Sequence, residues 1–463
     1  MSGADQSRRG GGGGNSGGGS GVAEHRGSAV TDARVAAAEI LTDLRGGDLL
    51  DPAFDRRTAN LDPRDRRWVR ELVYGTLRRR SRLDTFLDAR VRGGSVRLDA
   101  DLHDLLRLGA AQLLYMGSVP AYAAIAQTVE LAKRRHGLGA SKLANAVLRR
   151  LDRERDTLVV PVLADPIDAL ALETSHPRWL VARWVERWGI AETQKLLEAN
   201  NGEAPLIARA YHVVREQLEA MLEAAGVHVE EAPLVRDSIV LSSPVSSLTE
   251  LGPFRQGLFH LQDPASTLVT MYGCVPTGAL AADLCAAPGG KSIELSRSAA
   301  QVFSSDQSFA RLARVTENAR RLEIDTMHGH VADARHPAIR PVDAVLVDAP
   351  CTGTGTFRRH PDARWRLKVS DLMVMSALQR SILISAANVV KPGGLLIYST
   401  CSLEPEENDE QIERFLNEHP GWTLEPPPEG AVPSVVLDRG YLRVLPQRHG
   451  TDGAFAARLR RPS

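Results

Sequence analysis

The reading of this chain turns on Asp283-Leu284-Cys285-Ala286-Ala287-Pro288-Gly289-Gly290-Lys291-Ser292. The apolar run Ala279-Leu280-Ala281-Ala282 leads into it, and a helical pattern follows. A strand, a glycine-containing turn and a helix start make a cradle for nucleotide-type ligands. Gly290-Lys291-Ser292 copies the end of a P-loop, but Cys285 stands where that motif needs its first glycine. Pro288 also removes a backbone donor from the cradle. A P-loop ATPase is therefore set aside. The residues suit S-adenosylmethionine, because the paired glycines let backbone approach the amino-acid end of that cofactor.

Outward from this turn, short apolar strand candidates alternate with helical patterns. They are Gln301-Val302-Phe303-Ser304-Ser305, Ala344-Val345-Leu346-Val347 and Gly394-Leu395-Leu396-Ile397-Tyr398. Such alternation predicts an α/β, Rossmann-like fold with a parallel sheet covered on both faces. Ligands of such sheets bind beyond the carboxyl ends of the strands. Asp306 closes the second strand about 20 residues past Asp283, a spacing that suits ribose hydroxyls. Its plain alternative is a helix N-cap. Asp333, in Gly329-His330-Val331-Ala332-Asp333-Ala334, is placed to accept from an adenine amino group, or is simply a turn aspartate.

Two further strand ends carry cysteines: Val347-Asp348-Ala349-Pro350-Cys351-Thr352-Gly353-Thr354-Gly355 and Tyr398-Ser399-Thr400-Cys401-Ser402. The chain holds four cysteines in all, too few to staple its length and in keeping with a reducing cytosol. One cysteine past a central strand reads as a small buried hydrophobe. Two beside a cofactor cleft ask for chemistry. No His or third Cys lies at zinc-ligand spacing, so no metal is expected, and neither cysteine has redox CxxC spacing. Methyl transfer to carbon 5 of a pyrimidine explains the pair. A thiolate adding to carbon 6 makes carbon 5 enamine-like. The adduct must then lose the carbon-5 proton and expel the sulfur, so one cysteine attacks and the other assists release. Spacing does not say which is which.

The chain has 463 residues, and Lys+Arg 57 balances Asp+Glu 57. Length predicts about three domains. No apolar run of about 18 residues and no signal peptide is present, which excludes a membrane span and secretion. Residues 1–28 are Gly-rich and read as a disordered tail. Residues 29–155 read as successive helices, with breaks at Gly46-Gly47-Asp48, Asp62-Pro63, Gly93-Gly94, Ser118-Val119-Pro120 and His136-Gly137. Arginines from Arg56 to Arg82 and a second cluster from Lys133 to Arg150 suggest a phosphate-binding surface. Residues 156–262 read as linker helices and a small α/β module, and residues 263–463 as the catalytic domain. Trp179, Trp184 and Trp188 read as core.

The segments DLCAAPGGKS, DAPCTGTG and YSTCS resemble the RNA 5-methylcytosine methyltransferases. Gly257 to Ser266 and Arg359-His360-Pro361-Asp362 match as well, and Leu72 to Gly75, Leu106 to Tyr115 and Asn145 to Arg150 resemble NusB, a helical RNA-binding fold. A NusB-like domain fused to this catalytic domain is similar to the bacterial enzymes that methylate cytosine in 16S rRNA. The resemblance implies a cofactor loop of Cys285, Ala286, Ala287, Pro288, Gly289, Gly290 and Lys291. It implies Asp306 at the ribose, Asp333 at the adenine and Asp348 at the junction of cofactor and base. Cys401 is then the nucleophile and Cys351 the residue that promotes release. One departure is Ala454, where the family usually has an aromatic. The expected partner is small-subunit rRNA or an assembling ribosomal particle, the expected location the cytoplasm and the expected state a monomer. The same chemistry on tRNA is the nearest alternative. A non-catalytic NusB-like RNA-binding factor is the alternative from another class.

Overall fold

The computed structural model describes residues 30–242 and 248–463, so the expected tail, residues 1–28, lies outside the described residues. Helices Asp32–Arg45, Leu50–Thr58, Pro63–Arg78, Arg80–Asp88, Ala100–Tyr115 and Ala121–Glu154 form the first layer. Breaks fall at Gly46-Gly47-Asp48, Asp62-Pro63, Gly93-Gly94 and Ser118-Val119-Pro120 as predicted, and one more at Arg79 that the sequence did not predict. Asp62 caps the third by accepting from the N–H groups of Arg64 and Asp65, with Pro63 at its first position. The break expected at His136-Gly137 is instead a kink within one helix, where Gly137 alone leaves helical geometry at φ 81°. Leu72, Val73, Leu83, Leu106 and Leu148 share the core. Part of the first arginine cluster is committed internally: Arg57 pairs with Glu39 and Asp43, and Arg56 with Asp43 and Asp48.

Helix Arg178–Asn201 begins after His176-Pro177 and buries Trp184, with Trp179 and Trp188 half-buried in the same cluster. Strands β1 (Leu206–Ala210), β2 (Val229–Glu231), β3 (Ser238–Leu241) and β4 (Phe259–Leu261) form a small antiparallel sheet in the order β2-β3-β1-β4. Leu218 and Leu222, from helix Arg215–Ala224, pack with Ala208, Ile239 and Phe259 of this sheet.

The large sheet holds β5 (Leu280–Asp283), β6 (Gln301–Asp306), β7 (Met327–Val331), β8 (Val342–Asp348), β9 (Val390–Thr400), β10 (Thr423–Leu424), β11 (Leu437–Asp438), β12 (Tyr441–Val444) and β13 (Ala454–Arg460). Its order is β11-β12-β13-β9-β8-β5-β6-β7, with β10 beside β13. The run β9-β8-β5-β6-β7 is parallel, as the alternating pattern predicted. The strands from β10 onward are antiparallel and extend it into a mixed sheet. Short links such as Gly440 between β11 and β12 permit only antiparallel return. Side chains alternate between two cores: Val302, Leu346 and Ile397 on one face, Val345, Leu396 and Tyr398 on the other. Among the described residues no helix is long and apolar enough to cross a membrane.

Candidate active site

β5, β8 and β9 are neighbours, so their carboxyl ends deliver Asp283, Asp348 and Thr400 side by side. After Asp283 the chain turns through Cys285 to Gly289. Gly289, at φ 110°, starts helix Gly290–Leu295 in a conformation that favours glycine. Gly290 is needed for space: a Cβ there would stand 3.0 Å from Nε2 of Gln262. Ser292 Oγ donates to the fully buried Asp283 at 2.7 Å, yet burial still raises that carboxyl to about 6. Burial, with Asp283, Asp348 and Asp306 nearby, pushes the Cys285 thiol far up, so it stays a neutral part of the turn.

Lys291 reaches across from that helix to Asp348, with Nζ 2.8 Å from Oδ2. Burial works against its charge and Asp348 more than offsets this, so the ammonium is held above the usual lysine value. Ser399 Oγ donates to the other Asp348 oxygen at 2.9 Å. Just beyond, the sulfurs of Cys351 and Cys401 are 3.3 Å apart, and both are free thiols. Cys401 lies within electrostatic reach of Lys291. Its hydrogen bond to Cys401 and its burial hold the Cys351 thiol well above the usual range. Either sulfur can be the donor in this contact.

A cleft of about 510 Å³ opens over the turn, lined by Cys285 to Pro288, Gly290, Lys291, Asp348, Gln262, Asp263, Arg359, His360 and Asp452 among others. Asp306, Asp333, Cys351 and Cys401 do not line it. Asp306 is buried at the end of β6, accepts from the N–H of Ser308 at 2.9 Å and pairs with Arg311 at 3.2 Å. Ser308, not Asp306, caps the helix Phe309–Arg321. Asp333 sits past β7 in a turn, with its carboxylate on Arg335 at 2.6 Å, which holds it at about 2. The structure therefore gathers the turn, Asp348 and the two cysteines, and sets Asp333 apart. The cleft suits S-adenosylmethionine by its donor set. Gln262 Nε2 is buried without a hydrogen-bond partner beside Gly290, a donor fit for a ligand carboxylate.

Four side chains at this edge had no role in the sequence reading. Arg358 and Arg359 each bond both Asp263 and Asp452, at 2.5 to 2.8 Å, closing a buried four-member charge network. Arg358 and Arg359 are adjacent in sequence, but their partners lie far along the chain. Asp263 also caps helix Pro264–Gly273 through the N–H of Ala265. A fifth, Glu407, belongs to the acidic run Glu404-Pro405-Glu406-Glu407. In the fold it is wholly buried.

A Rossmann-like sheet with a glycine-turn cleft, carried behind a helical domain and a small antiparallel sheet, is the form of a multidomain methyltransferase. Family models agree: "16S rRNA methyltransferase RsmB/F" matches residues 277–460, "NusB family" residues 31–153, and an RsmF/B-like ferredoxin-like domain residues 176–247. The ribosomal RNA small subunit methyltransferase B of Vibrio cholerae is 34% identical over 93% of this chain and 98% of its own length. A probable enzyme of that name from Bacillus subtilis is 34% identical over 88% of this chain and 92% of its own. The crystal structure of PH0851 superposes with a TM-score of 0.77 at 26% identity, covering 94% of this chain and 100% of that one. NSun6 from Pyrococcus horikoshii, crystallised with SFG, shares the fold at a TM-score of 0.55 and 20% identity over 62% of this chain and 98% of its own. The chain belongs to the RsmB/F methyltransferase family.

Proposed function

We propose that the protein uses S-adenosylmethionine to methylate carbon 5 of a cytosine in small-subunit rRNA through a covalent adduct with Cys401. The observation that carries this reading is the pair of free thiols 3.3 Å apart beside the Lys291–Asp348 pair. When bound, S-adenosylmethionine supplies an electrophilic methyl group. Cys285 to Lys291 hold it in this reading, with Asp306 at the ribose and Asp333 at the adenine. Asp333 would have to release Arg335 to do so.

The Cys401 thiolate adds to carbon 6 of the ring. Asp348, tied to Lys291 and Ser399, stands where cofactor turn and base meet and orients the ring's amidine edge. Carbon 5, made nucleophilic by the addition, would take the methyl group; it then loses its proton to water, the electrons of that C–H bond restore the C5–C6 double bond, and the C6–S electron pair returns to Cys401. The neutral Cys351 thiol donates a hydrogen bond to that leaving thiolate, which is how it promotes release. The target base must leave any stack to reach Cys401. Residues 29–155 and 156–262 grip the RNA in this reading, and 263–463 perform the chemistry in a cytoplasmic monomer.

The test follows tritiated methyl transfer to small-subunit rRNA, free and in partial particles, with a denaturing gel for protein–RNA adducts. Cys401→Ala is expected to form no adduct, and Cys351→Ala to accumulate one. The reverse pattern would swap the two roles. Transfer to tRNA alone would overturn the substrate, and no binding of S-adenosylmethionine in calorimetry would leave a non-catalytic RNA-binding factor.

A further inference from the structure

Glu407 is completely buried, at 0% exposure, at the end of the short 3-10 helix Pro405–Glu407. A buried carboxylate persists only with donors around it. One oxygen accepts from the Thr352 N–H at 2.9 Å and from Gln379 Nε2 at 2.9 Å. The other accepts from the hydroxyls of Thr352 and Ser402. Thr352 directly follows Cys351, and Ser402 directly follows Cys401. Gln379 also donates to the carbonyl of Pro350, on the other side of Cys351, at 2.9 Å. The backbone that carries the carboxylate is itself anchored, because Tyr398 of β9 donates to the Glu407 main-chain carbonyl at 2.7 Å.

We propose that Glu407 is a positioning residue: it ties the residue after each cysteine to one rigid acceptor and so fixes the gap between the two sulfurs. It touches neither substrate nor cofactor. The inference rests on the proposed adduct chemistry, in which attack and release both need the thiols in register. Other bonds also join the two loops, from Gly355 N–H to the carbonyl of Cys401 itself at 2.9 Å and from Leu403 N–H to Thr354 Oγ1 at 2.8 Å. Loss of Glu407 should therefore loosen the thiol end and leave the loops folded.

The test compares wild type, Glu407→Ala and Glu407→Gln in the full chain, in the tritium and adduct assays. For Glu407→Ala, the rate at saturating RNA is expected to fall roughly 10- to 100-fold, the cost of a misplaced reacting group. KM for RNA and the affinity for S-adenosylmethionine should stay within about twofold. The adduct should accumulate as release slows. Glu407→Gln loses less, because hydroxyls can turn to accept from an amide as well as donate to it. If Glu407→Ala does not fold, Thr352→Val removes one tether at constant shape and should show the same split on a smaller scale. A wild-type rate in folded Glu407→Ala or Thr352→Val overturns the proposal, as does a rate loss matched by lost cofactor affinity. Methyl transfer without any adduct in wild type would instead sink the adduct chemistry itself, and this inference with it.

Discussion

At the scale of single residues the site stores cost in Asp283. Burial raises its carboxyl to about 6, although Ser292 and the Cys285 N–H donate to it. The unfolded chain gives up this proton near the ordinary aspartate value of about 3.9, while the folded protein holds it to about 6. The associated stability is full below the unfolded value and is lost as pH rises through the folded one. The loss is of order 3 kcal/mol. Urea denaturation of the ligand-free protein should show it, with stability falling between about pH 4 and about pH 7. In Asp283→Asn that fall should be largely absent, because the side chain no longer ionises. An equal slope in both proteins would assign the pH dependence to other groups. Cys351, outside the cleft, is shifted in the same direction: its hydrogen bond with Cys401 and its burial raise the thiol well above the usual range.

At the scale of elements, the two cysteine loops pass each other with no room for side chains. A Cβ on Gly355 would lie 2.7 Å from the Cys401 carbonyl and 2.8 Å from the Cα of Gly453. Gly355→Ala should therefore push the two loops apart and destabilise the fold by roughly 1–3 kcal/mol, read as a lower Tm. An unchanged Tm would mean that the crossing gives way. Glycines in DAPCTGTG were legible as a motif, but this reason for them was not, since Gly453 comes 98 positions later only by the fold. The same limit explains the rest. The gathering of Asp348, Cys351 and Cys401 at one edge could be read from sequence because they follow two neighbouring parallel strands. Glu407, Gln379, Asp263 and Asp452 could not, because each looks hydrophilic and its partner is remote. Asp333 shows the reverse limit: its place after a strand was legible, while Arg335, two residues on, takes its carboxylate. Ala454, the position that departs from the family, is buried in the core beside Leu442 and Ala456.

At the scale of the whole molecule, the helical domain docks on the chain that follows Cys351. Arg78 donates to the carbonyl of Arg358 at 3.0 Å, and Trp365 Nε1 to that of Leu77 at 2.8 Å. Arg364, fully buried, binds the Asn200 carbonyl at 2.9 Å and Asn201 Oδ1 at 2.8 Å. These bonds make the segment from Arg358 to Trp365 common ground for three parts of the chain, so a load on the helical domain reaches the cleft wall directly. One contact in the dock titrates. His360, which lines the cleft, lies 3.3 Å from Asp51 of the helical domain, and Tyr74 donates to the same carboxylate at 2.6 Å. Burial opposes the imidazolium, and Asp51, with Asp362 and Asp452 behind it, more than offsets this, so the His360 value is raised. The Asp51 carboxyl is lowered, since His360, Tyr74 and Arg70 together outweigh its burial. The His360 contribution is complete below the ordinary histidine value and is lost as pH rises through the raised one. The Asp51 contribution is present above the ordinary aspartate value and is lost as pH falls through the lowered one. Docking should therefore be firmest between these limits and loosen on the alkaline side first. Hydrogen exchange at Leu77 and neighbouring amides of helix Pro63–Arg78 should accelerate above that histidine range by more than the intrinsic rate, and in Asp51→Asn the extra acceleration should vanish. If Asp51→Asn keeps it, the dock does not depend on the His360–Asp51 pair, and bonds such as those of Arg78 and Trp365 hold it.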